Sequence, residues 1–179
     1  MAETVDALRM EHANMARLLN MIEAQLMEFE AGRSLDFELL ESVLDYFVTF
    51  PAVYHHPKED LILERMKARD AAAAATFETL TGEHKLLASQ VEQVANSVHL
   101  IEQDSIVSRD AFVDSARAFV AAQRRHMAFE EEAFLSAAER ILDDSDWAAI
   151  DRHLQTPDDP LFGPAAAKEY QRLAEAIRV

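Results

Sequence analysis

Six side chains stand where a helical seam calls for an apolar residue: His12, His55, Glu59, His84, His126 and Glu130. An ionised carboxylate inside a core is costly unless it is paired or holds a cation. Two pairs have a spacing with chemical content. His55 and Glu59 are four residues apart, as are His126 and Glu130. That spacing sets imidazole and carboxylate on one helix face, one turn apart. Each pair offers a terminal nitrogen ligand and a carboxylate able to bridge. The set contains only nitrogen and oxygen donors, which suits iron or manganese, with zinc as an alternative. Six side chains exceed one closed tetrahedral site. Bridging by both glutamates would divide them between two metals, each keeping about two histidines and open positions for solvent and a small exogenous ligand.

The elements that must position these groups are four long helices. Val5, Leu8, His12, Met15, Leu19, Ile22, Leu26 and Phe29 alternate spacings of three and four, which predicts a helix over 3–29 with Thr4 as N-cap. Ala31-Gly32-Arg33-Ser34 supplies a terminating glycine and a fresh N-cap. A second helix is predicted over 35–67, with Leu40, Leu44, Val48, His55, Glu59, Ile62 and Met66 inward and a kink or local widening from Pro51 and Pro57. A third opens at Asp70 and carries Phe77, Leu80, His84, Leu87, Val91, Val94, Val98 and Ile101. It breaks at Gln103-Asp104-Ser105, with Ser108 as a competing N-cap for the next helix. The fourth, over 110–142, presents Phe112, Ala116, Phe119, Gln123, His126, Glu130, Ala133 and Ala137. A short helix through Trp147 and Ile150, a loop over 156–164 and a last helix over 165–177 follow. The expected fold is all-α: an antiparallel up-down-up-down four-helix bundle over 1–143, with short C-terminal helices over 144–179 packed on it.

Heights along such a bundle separate a site from scattered polar residues. With turns near residues 32, 70 and 105, His12 lies about 20 residues before the first and His55 about 23 after it. His55 and His84 lie about 15 and 14 residues from the second turn, and His84 and His126 about 21 from the third. All four helices thus deliver a histidine to one layer. A lone core histidine is ordinarily a satisfied packing residue; levelling across four helices is not expected of scatter.

Composition narrows the function classes. The chain has 179 residues with 17 basic and 33 acidic side chains, a formal net charge of -16 that would repel nucleic acid and an anionic membrane. No cysteine is present, which removes disulfides, thiolate zinc sites and cysteine nucleophiles. Three glycines and five prolines are few for a barrel or sandwich of short strands. The opening MAETVDALRMEHANM is no signal sequence, and charges interrupt every apolar stretch, so a soluble cytoplasmic protein is expected.

Leu8-Arg9-Met10-Glu11-His12, His55-His56-Pro57-Lys58-Glu59-Asp60, Glu83-His84 and His126-Met127-Ala128-Phe129-Glu130-Glu131-Glu132 resemble the hemerythrin-like HHE cation-binding domain, over about residues 4–142. The resemblance implies a four-helix bundle around a non-haem di-iron centre. It maps the metal ligands to His12, His55, Glu59, His84, His126 and Glu130. His56 is a further candidate, because some relatives have a ligand directly after the position of His55. On a regular helix His56 would point about 100° away, so it joins only if the backbone is distorted near Pro51 and Pro57. Two departures stand out. Oxygen-carrying hemerythrins have a second histidine on the third helix four residues from the first, where this chain has Leu80 and Ala88. They also place an aspartate five residues after the fourth-helix histidine; here Glu130 is fourth and Glu131 fifth. On a regular helix Glu131 is turned about 100° from Glu130, which leaves Glu130 as the bridging residue.

Other polar residues have blander readings. Glu11, Glu83, Glu131 and Glu132 are expected in solvent or just outside the donor layer. Tyr46, Tyr54, Met15, Met66 and Met127 are expected to fill the core. His99 lies about 22 Å along its helix from His84, and His153 follows the bundle as a surface residue. The functional expectation is a di-iron protein that binds or senses oxygen, nitric oxide or peroxide, or handles iron under stress. A sensor would act through a separate protein partner. Two alternatives belong to other classes: a di-iron enzyme acting on peroxide or in iron–sulfur repair, and a metal-binding or storage module without redox function.

Overall fold

The computed structural model describes residues 3–103, 105–153, 159–164 and 166–177. Among them there is no strand. The chain forms α1 (Glu3–Glu30), α2 (Phe37–Phe50), a π-helical turn (Pro51–His55) and α3 (His56–Arg69). The short α4 (Ala71–Ala74), a 3-10 turn (Ala75–Phe77) and α5 (Leu80–Glu102) follow. Then come α6 (Arg109–Phe129), a second π-helical turn (Glu130–Leu135), α7 (Ser136–Ile141) and α8 (Asp144–His153). A 3-10 turn (Lys168–Tyr170) leads into α9 (Gln171–Ile177). α1 packs on α2, α2 on α5, α5 on α6 and α6 on α1, so the long helices form a closed helical bundle. No described helix is long and apolar enough to cross a membrane.

The seams fold as patterned, with corrections at their ends. Thr4 is inside α1, and its hydroxyl donates to Asp151 Oδ1 at 2.6 Å. Gly32 takes φ +80°, the left-handed conformation that stops α1. The next N-cap is Asp36 and not Ser34: its carboxylate accepts from the Leu39 N–H. Asp70 caps α4 as expected, but the alanine run is too short of apolar bulk to hold one continuous helix, and a 3-10 turn separates α4 from α5. Ser108 caps α6. Asp104, Thr156–Asp158 and Ala165, which belong to the predicted break, loop and last helix, lie outside the described residues. The last helix begins in its described part with the turn at Lys168.

The backbone widens into π-helical turns twice: at Pro51–His55, where the prolines predicted a kink or local widening, and at Glu130–Leu135, where a regular helix was expected. A step of four residues overshoots an α-helical turn by about 40°, so three such steps would carry a side chain off the inner face. Phe47, Pro51, His55 and Glu59 make three such steps and are all buried. His126, Glu130, Phe134 and Ala138 do the same. The wider π-helical turn absorbs the overshoot in each case. Val48, expected inward, is 37% exposed, while Phe47 and Phe50 are inside. Ala133 is only half-buried, and Phe134 takes its place in the core.

The core falls into two apolar clusters. One contains Met15, Ile22, Leu44, Val94 and Phe119; the other contains Leu8, Ile62, Leu80 and Phe134. His12, His55, Glu59, His84, His126 and Glu130 lie between them in sequence on every helix and are buried. The C-terminal segment joins the larger cluster through Leu161, Tyr170 and Leu173. Tyr46, fully buried and stacked on Phe50, donates to Asp159 Oδ2 at 2.9 Å. Burial and the Asp159 charge both hold its hydroxyl protonated. Tyr54 also stacks on the Phe50 ring. Tyr46→Phe should cost about 1–2 kcal/mol of stability in urea unfolding, and expose the C-terminal segment to proteolysis before the long helices.

Candidate metal centre

α1 brings in His12, the first π-helical turn His55, and α3 both His56 and Glu59. His84 comes from the first turn and a half of α5, His126 from the last turn of α6, and Glu130 opens the second π-helical turn. These seven side chains gather in two adjoining sets. His12, His55, Glu59 and Glu130 each offer one donor atom within 4.8 Å of the others, and so do His56, His84 and His126. The second set is completed by the π-helical turn at Pro51–His55, which alters the register enough to lay His56 on His84. The two rings stack with centroids 3.6 Å apart and planes 5° from parallel.

The glutamates stand between the sets. Glu59 Oε1 is 3.2 Å from His55 Nε2, and Oε2 is 3.4 Å from His84 Nε2. Glu130 Oε2 is 3.3 Å from His12 Nε2, while Oε1 is 2.8 Å from His126 Nε2 and 3.4 Å from His84 Nε2. Each carboxylate therefore turns one oxygen to either set. The orphaned atoms are telling. Both Glu59 oxygens, Glu130 Oε2 and His126 Nε2 are buried with no partner of hydrogen-bond geometry. His12 Nε2 and His55 Nε2 converge to 3.0 Å, a contact that two lone pairs cannot make without a proton or cation between them. The donor types, their burial and their orphaned atoms fit a pair of nitrogen- and oxygen-loving cations.

Carboxylates behind the rings aim them. His12 Nδ1 donates to Glu131 Oε1 at 3.0 Å, His55 Nδ1 to Glu11 Oε2 at 2.8 Å, and His126 Nδ1 to Glu83 Oε2 at 3.1 Å. Each bond points Nε2 inward. The sequence reading left Glu11, Glu83 and Glu131 without specific partners, because these bonds cross between helices. Lys58, which it did not single out, is buried and donates to Glu11. The signal for it was a lysine one residue before Glu59, on the inward half of the helix. Glu132 is exposed, as are His99 and His153.

The electrostatics follow from this crowding. Burial works against charge on His55, but Glu59 and Glu11 outweigh it and push the imidazole up to about 10. His126 is also raised against burial, by Glu130 and Glu83. Burial would raise the Glu130 carboxyl; the histidines His12, His126 and His84 reverse this and hold it well below the ordinary range. Glu11 is likewise lowered against burial, by His55 and Lys58. Burial lowers His56 to about 2, with His84 and His55 adding to the effect, so its lone pair is free. An entering cation would displace the protons that hold His55 and His126 to the carboxylates.

Residues 3–138 match the model of the hemerythrin HHE cation binding domain, and the chain belongs to that family. A search of curated proteins returns no match. Glu11→Ala and Glu83→Ala should each weaken metal binding about ten- to hundredfold in competition with a chelator, leaving the helical circular dichroism unchanged.

Proposed function

We propose that this is a non-haem di-iron protein of the hemerythrin-like type. His12 and His55 would hold one iron and His56, His84 and His126 the other, with Glu59 and Glu130 bridging. The observation that carries this reading is the division of both carboxylates, one oxygen towards each histidine set, with orphaned atoms at the junction. The same reading takes residues 1–143 as an up-down-up-down bundle and 144–179 as an extension packed on it, in a cytoplasmic protein. Manganese or zinc would suit the donors too.

Iron, when bound, would supply redox chemistry and open coordination positions. The chain's own contribution is orientation and seclusion. Glu131, Glu11 and Glu83 hold three rings by their outer nitrogens, so these cannot rotate away when a ligand arrives or leaves. His56 stands in for the second third-helix histidine that Leu80 and Ala88 do not provide. Histidines would then divide unevenly between the two positions, and the His12–His55 side would offer iron fewer protein donors. Oxygen, nitric oxide or peroxide would bind there, for sensing, for reversible binding or in iron handling under stress.

Iron-reconstituted chain should contain about two magnetically coupled irons, by metal analysis and Mössbauer spectroscopy. Glu130→Ala should retain at most one, weakly held. A single uncoupled iron in the parent would overturn the dinuclear reading. Metal at a hundredfold excess over its Kd should add about 2.7 kcal/mol of stability, read as a rise in Tm. Equal melting with and without metal would count against the site.

A further inference from the structure

Among the described residues Lys58 is the only lysine or arginine that is buried, at 5% exposure. An ammonium shut off from water is costly, and its three N–H groups call for acceptors. Its hydrogen-bond partner is Glu11, whose carboxylate is divided. Oε1 accepts from Lys58, while Oε2 accepts from His55 Nδ1 at 2.8 Å. Ammonium, carboxylate and imidazole thus form one chain, from α3 through α1 to the ring whose Nε2 faces Glu59. The other two carboxylates behind rings are placed differently. The side chains of Glu131 and Glu83 are 44% and 43% exposed, so water screens them; that of Glu11 is 13% exposed. A buried ion pair adds little stability by itself, since apolar residues of the same bulk commonly serve as well. What distinguishes this pair is the ring that shares its carboxylate.

We propose that Lys58 is a positioning residue for His55: through Glu11 it sets how strongly that ring gives electrons to a bound metal. This deepens the di-iron reading and rests on it. A carboxylate on the outer nitrogen of a metal-bound imidazole raises the ring's basicity. A stronger donor favours the oxidised metal. Buried and alone, Glu11 would push harder on His55 than either exposed carboxylate pushes on its ring, because nothing would screen it. Lys58 holds one oxygen and offsets the charge, which weakens the pull of the other oxygen on the Nδ1 proton. The lysine therefore keeps the reduction potential of the centre higher than Glu11 alone would leave it.

The test compares the parent with Lys58→Met and Lys58→Gln, both uncharged, the second still able to donate to Glu11. Each is loaded with iron, assayed for metal content and titrated potentiometrically. The expected result is two irons throughout and a lower midpoint potential in both variants. Adding Glu11→Gln to Lys58→Met removes the carboxylate charge as well and should bring the potential back towards that of the parent. An unchanged potential in the single variants overturns the proposal. So does an iron lost from both, or a fall that the double variant does not reverse, since either outcome makes Lys58 merely structural. Chain without added metal gives an independent readout. The His55 Nδ1–H proton signal should move downfield in Lys58→Met and Lys58→Gln, as Glu11 pulls harder on it. An unmoved signal overturns the proposal whether or not iron binds. A parent that takes up no pair of irons sinks the metal reading, while a shifted His55 signal would still support the action of Lys58 on that ring.

Discussion

Five imidazoles and two carboxylates are buried or half-buried together between two apolar clusters of one helical bundle. Hydrocarbon cannot solvate them, and they cannot all satisfy one another. The Nε2 atoms of His12, His55, His84 and His126 converge with the carboxylate oxygens, and several of these atoms lack a partner. Such a layer is tolerable only if protons or cations sit among the lone pairs. The remaining features of the site follow from this requirement. The apolar clusters on either side hold the backbones in place, and the outer carboxylates hold the rings.

The two π-helical turns are part of the same solution. Both fall at the donor layer, one ending at His55 and the other beginning at Glu130. A regular helix presents one residue per turn to a given point. A π-helical turn makes room for an extra residue, at the cost of poorer helical geometry. At His55 that room lets two consecutive histidines serve neighbouring sets. At Glu130 it keeps the inner face continuous from His126 to Phe134 and Ala138. The irregular backbone therefore occurs where the chemistry needs an angle that α-helix does not provide.

The arrangement is also uneven around its centre. One side carries His12 and His55; the other carries three histidines, a stacked ring pair and a neighbouring cavity. A bundle of four similar helices could have produced a symmetric site. Here the irregular turn at Pro51–His55 breaks that symmetry by adding His56 to one side. Unequal donor sets would leave two bound metals with unequal coordination vacancies.

The helices, their inward seams and the common height of the four levelled histidines are legible in the sequence. Height along a helix is a linear count of residues, and burial leaves a period of three and four. The His–Glu pairs at four-residue spacing are legible for the same reason. Azimuth beyond a distorted turn is not. The run Phe47, Pro51, His55, Glu59 contained a hint, three successive steps of four, but only the folded backbone decides whether a turn widens or a side chain drifts outward. His56 depended on that decision. Glu11, Glu83 and Glu131 acquire their ring partners across helices, through contacts that no local pattern encodes. Gln123 read simply as a seam residue; the cavity it lines exists only once α2, α5 and α6 are packed together.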